Sequence, residues 1–103
     1  MEETIMNLIV HSGEVRSYSM EAIQCAKSGN IDGARKLIEQ AEAELLKAHN
    51  VQTYLIQKEA RGEKTEVSLL MIHAQDHFMT SMTLKSMAVE IIEIHEKFNN
   101  NIC

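Results

Sequence analysis

The chain of 103 residues has no proline and no tryptophan, only four glycines, and just two tyrosines and two phenylalanines. Without proline nothing forbids long unbroken helices, and so few aromatic residues leave little material for a strand-built core. Cysteine is equally scarce: Cys25 lies inside a helical pattern and Cys103 is the last residue. That spacing suits neither a disulfide framework nor a CxxC metal site, so two free thiols are expected. No apolar run approaches the roughly 20 residues of a membrane span, and Met1-Glu2-Glu3 lacks the basic start of a signal peptide. The expectation is a cytoplasmic protein without direct membrane insertion. Basic residues are outnumbered, 10 Lys and Arg against 15 Asp and Glu, and no basic run interleaves with aromatics. Nucleic acid is therefore not expected as a partner.

What is present is helical material: Ala, Leu, Ile, Met, Glu and Lys in abundance. The length suits a single domain, 1–103. Ile5, Leu8, Ile9, Ser12, Val15, Ser19, Ala22, Ile23 and Ala26 recur at steps of three and four and predict a first helix over about 4–27. Ser28-Gly29-Asn30 closes it, with Gly29 suited to a left-handed cap and Asn30 to the next N-cap. Ala34, Leu37, Ile38, Ala41, Leu45, Ala48, Gln52 and Leu55 mark the inner face of a second helix over about 31–58, turned back antiparallel. A charged loop, Lys58 to Lys64, leads to Thr65 as the expected N-cap of a third helix over about 65–98, with Asn99-Asn100-Asn101 fraying its end. The fold class is all-α, an antiparallel three-helix bundle.

The third helix is apolar on more than one side. Leu70, Ala74, Ser81, Leu84, Ala88 and Ile91 can face the bundle, whereas Leu69, Ile72, Asp76, Thr80, Thr83, Met87 and Ile94 form a second stripe within about 40° of Asp76. One three-helix bundle cannot cover both, so self-association through this helix is predicted. Symmetry then gathers copies of the Asp76 carboxylate, an arrangement that calls for protonation, water or a divalent cation. A bound metal is expected, with Asp76 as its ligand.

Into the same helix are cut His73, Gln75, Asp76 and His77. The two histidines lie about 40° apart on the helix wheel and Asp76 about 60° from His73. Unpaired, such groups cost roughly 1 to 3 kcal/mol each when buried. Three readings compete. A zinc hydrolase would need a glutamate after the first histidine, where Ala74 stands, and a third ligand, for which His11, His49 and His95 are unassigned candidates. Satisfied core or interface histidines within a non-catalytic oligomeric adaptor form the second reading. The third is a nucleophilic histidine that carries a phosphoryl group, since a neutral imidazole attacks phosphorus readily near pH 7. No Gly-rich phosphate loop is present, so the phosphoryl group would have to come from another protein.

The segment His73-Ala74-Gln75-Asp76-His77-Phe78-Met79-Thr80-Ser81-Met82 resembles the active segment of the lactose/cellobiose-type enzyme IIA of the bacterial phosphotransferase system. The resemblance extends through Ser12-Gly13, Arg16-Ser17, Ala26 to Asn30, Ala48 to Thr53 and Gly62-Glu63-Lys64, essentially the whole chain. It implies a three-helix protomer in a nine-helix homotrimer, His73 as the phosphoryl acceptor, and Gln75 and His77 as members of the phosphoryl pocket. It also implies HPr as donor, a cysteine of enzyme IIB as recipient during sugar uptake, and Asp76 as ligand of one Mg2+ on the trimer axis. Cys25 and Cys103 are not the recipient cysteine. Phe78 departs from the family, which commonly carries leucine there, a change expected to affect packing more than chemistry.

Overall fold

The computed structural model describes residues 1–102, with side chains described through residue 100; the expected free thiol of Cys103 lies outside the described residues. Three helices, α1 (Glu2–Lys27), α2 (Ile31–Ala60) and α3 (Leu69–Ile102), make up the fold, and no strand occurs among the described residues.

The first turn forms by the expected chemistry. Gly29 takes a φ of 86°, a left-handed conformation that its lack of a Cβ permits, and the Asn30 side chain accepts a hydrogen bond from the Gly33 N–H at 3.0 Å. The Ser28 hydroxyl donates to the carbonyl oxygens of Gln24 and Cys25, satisfying the end of α1.

Four boundaries differ from expectation. α1 begins two residues earlier, at Glu2. α2 runs two residues further, to Ala60, and is closed by Gly62, again at φ 86°. Thr65 does not cap α3; Ser68 does, its hydroxyl accepting from the Met71 N–H at 3.1 Å, so the helix starts at Leu69. Both residues have cap chemistry, and Val67 and Leu69 are exposed, so no burial pattern distinguished them. The asparagines near the end stay helical, in a stretch that itself contains neither proline nor glycine.

α1 and α3 run parallel, with α2 antiparallel between the turns. One end of the core joins Ile5 and Leu8 to Ala48, Leu55, Met71, Ala74 and Phe78; the other joins Ala22 and Ala26 to Ala34, Ile38, Ala88 and Ile92. Between them lie the buried Ser12, Val15, Ser19, Ala41 and Ser81. Such small side chains let the axes approach closely, giving a rod of 59 × 19 × 18 Å. α1 packs along both other helices, whereas α2 and α3 touch each other less. Across the α1–α2 seam, His11 Nδ1 donates to Glu44 at 2.6 Å, with Lys47 on the other carboxylate oxygen at 3.2 Å. Burial raises the Glu44 pKa, yet the hydrogen bonds and charges of His11 and Lys47 outweigh it and hold the carboxyl below its usual value.

The inner face of α3 is centred differently from the expected stripe. Met71, Phe78 and Ile92 are buried with Ala74, Ser81 and Ala88, while Leu70, Leu84 and Ile91 are only half-buried at its margin. Phe78, 1% exposed, is the largest fully buried side chain. The second stripe is uncovered as expected: Leu69, Ile72, Asp76, Thr80, Thr83, Met87 and Ile94 are all exposed.

Candidate functional site

α3 carries His73 and His77 one turn apart on the flank that adjoins α1. Their rings stack, with centroids 5.9 Å apart and planes within 8°. His73, further from α1 on the wheel, is exposed; His77 is half-buried. Burial pushes the His77 pKa below its usual value, the positive charges of His73 and of Arg16 on α1 act in the same direction, and Asp76 opposes them. His77 is thus neutral near pH 7, with one ring N–H to donate and one lone pair to accept. Gly13 of α1 stands beside it: a Cβ built there would lie 3.6 Å from His77 Nε2. Nothing in the spacing of one helix could have announced this neighbour.

Gln75 points elsewhere. About 200° from His73 on the helix, it faces α2, where its side-chain oxygen accepts from Gln52 Nε2 at 2.9 Å. Gln75 and Asp76 line an open, apolar cleft of about 530 Å³ between α2 and α3, walled by Leu55, Ile56, Met71, Ile72 and Met79. Within the chain the sequence-predicted residues therefore divide between two places, His73 with His77 and Gln75 with Asp76.

The exposed stripe around Asp76 is more apolar than its composition suggests. Thr80 donates its hydroxyl to the Asp76 carbonyl at 2.9 Å, and Thr83 donates to Met79 at 3.2 Å, so both polar groups are satisfied within the helix. No group of three potential metal-ligating side chains gathers among the described residues. His11 is engaged by Glu44 and His49 lies against Phe78 with ring centroids 6.5 Å apart; neither of these nor His95 joins His73 and His77 in such a group, as the third ligand of a zinc hydrolase would.

The chain that carries this arrangement, a solvent-facing histidine stacked on a half-buried one, is similar to known proteins. The family described as "PTS system, Lactose/Cellobiose specific IIA subunit" matches residues 3–96. The chain belongs to the lactose/cellobiose-specific IIA family. Among its relatives is the lichenan-specific phosphotransferase enzyme IIA component of Bacillus subtilis, 59% identical over 97 residues, covering 94% of this chain and 88% of the relative. The N,N'-diacetylchitobiose-specific EIIA component of Escherichia coli K12 is 44% identical over 97 residues, with 94% and 84% covered.

Solved IIA structures agree in fold. The cellobiose-specific enzyme IIA from Bacillus anthracis superposes with a TM-score of 0.94 at 46% identity, covering 96% of this chain and 91% of that one. The IIA component in the solution structures of the Escherichia coli IIA(Chitobiose)-HPr complex gives a TM-score of 0.83 at 43% identity, with 95% of each chain covered. This chain is thus a IIA component of the sugar phosphotransferase system, and no helix among its described residues is long and apolar enough to cross a membrane.

Proposed function

We propose that this IIA protein is a cytoplasmic phosphocarrier in which His73 accepts a phosphoryl group from phospho-HPr and passes it to a cysteine of enzyme IIB during sugar uptake. The observation that carries the reading is the exposure of the His73 ring, held in place by its stack on half-buried His77. An unprotonated nitrogen of His73 attacks phosphorus; the new N–P bond forms as the donor's N–P bond breaks, and the departing ring takes up the proton that His73 releases from its other nitrogen. In the onward step a thiolate attacks, an S–P bond replaces the N–P bond, and His73 regains a proton. The ring N–H of His77 stabilises the phosphoryl oxygens. Cys25, half-buried on α1, is not the recipient. That a related IIA is solved with HPr supports the donor assignment.

The exposed stripe of α3 supports association into a nine-helix homotrimer. There Gln75, remote from His73 in its own protomer, reaches the phosphoryl pocket of a neighbour. A lone Asp76 per chain cannot hold a divalent ion. Three copies around an axis would offer up to six carboxylate oxygens, a hard donor set suited to Mg2+. The ion would neutralise the gathered charge, while Ile72 and Met87 supply apolar contact.

Incubation with enzyme I, HPr and phosphoenolpyruvate tests the carrier role. The wild-type protein gains one acid-labile phosphoryl group by mass spectrometry, and His73→Gln gains none. Phosphorylation of His73→Gln, or no mass gain in the wild type, overturns the reading.

A further inference from the structure

Gly13 occupies the middle of α1, where glycine is destabilising relative to alanine. Two ordinary reasons for a glycine do not apply. Its φ is not positive, unlike those of Gly29 and Gly62, so no left-handed turn requires it. Nor is there a steric conflict: an added Cβ would meet a single atom within 4 Å, His77 Nε2, at the ordinary contact distance of 3.6 Å. What glycine does leave is an uncovered edge on that ring. Because the His73 and His77 rings stack with planes 8° apart, their nitrogens are approached from the ring edges, and Gly13 stands at the Nε2 edge of His77. A side chain longer than a methyl would extend into that space.

We propose that Gly13 is a positioning residue for phosphoryl transfer: the notch it leaves in α1 keeps His77 Nε2 open to the phosphoryl group carried by the stacked His73. The inference rests on the reading of His73 as acceptor and adds a group on another helix to the pocket.

The experiment measures the initial rate of phosphorylation against phospho-HPr concentration for the wild type, Gly13→Ala, Gly13→Val, Gly13→Met and the same-helix control Glu14→Val, with melting by circular dichroism. Gly13→Ala melts higher than wild type and keeps its rate. Folded Gly13→Val and Gly13→Met lose about a hundredfold in kcat, as on removal of one transition-state donor, while KM for HPr is unchanged. Methionine, unbranched at Cβ, carries the test if valine unfolds α1. Three results overturn the proposal: wild-type kcat in a folded Gly13→Met or Gly13→Val protein, a loss confined to KM, or an equal loss in Glu14→Val. If the wild type itself accepts no phosphoryl group, the carrier reading falls and this one with it; if it does and the bulky variants match it, only this one falls.

Discussion

The two faces of α3 are built from similar residues and end in opposite environments. Met71, Ala74, Phe78, Ser81, Ala88 and Ile92 are buried against α1 and α2, whereas Leu69, Ile72, Met87 and Ile94 on the opposite side stay exposed, Leu69 to 83%. The inner face is completed by one chain. The outer one is not, and its threonines turn their hydroxyls back onto the helix, leaving methyl groups outward. Apolar content alone therefore does not say which face folds the protein; position relative to the other two helices does.

The largest effect that separates the faces comes from Phe78. Its replacement by alanine removes the largest buried side chain and is expected to cost about 3 to 5 kcal/mol, read as a lower midpoint in urea denaturation. Ile72→Asp is the counterpart on the outer face. At high dilution its stability stays within about 0.5 kcal/mol of wild type, while repulsion between copies weakens association by more than about tenfold. Sedimentation equilibrium separates the two quantities, and equal association in variant and wild type would remove the stripe from the interface. The smallest change is expected for Asp76→Leu. Replacing the carboxylates that the proposed trimer would gather is expected to leave the assembly intact or tighter, and chelation by EDTA is expected to loosen the wild type but not the variant. Folded monomers of Asp76→Leu in the same sedimentation experiment would contradict the electrostatic account.

Much of the fold was legible because helices encode their own ends. Gly29 and Asn30 announced the first turn through backbone conformation and cap chemistry, both local properties. The start of α3 was less legible, because Thr65 and Ser68 are chemically equivalent caps in an exposed stretch. Ala74, Ser81 and Ala88 were placed on its inner face correctly, but the centre of that face was misjudged by about 50° on the wheel, since a helix apolar nearly all round gives periodicity no preferred phase. Phe78, expected to affect packing more than chemistry, lies buried in the core cluster with Ile5, Leu8, Leu55 and Met71.

The candidate site followed the same division. The pairing of His73 with His77 follows from their spacing on one helix, and so does the separation of Gln75 from them. The contacts with Gln52 on α2 and Gly13 on α1 depend on how far one helix slides along another, which spacing within a helix does not contain. Arg16, whose charge acts on His77 from α1, belongs to the same class.

The rod shape bears on traffic through the system. His73 stands exposed on the flank of a 59 Å rod, and under the proposed carrier role two proteins that each bring an atom to that one ring cannot land together. In the proposed relay the molecule would work as a turnstile: the loaded donor departs before the recipient arrives, and an excess of either partner obstructs the other. Throughput is then set by how quickly each visitor leaves, so strong binding to either would slow the relay that the histidine serves.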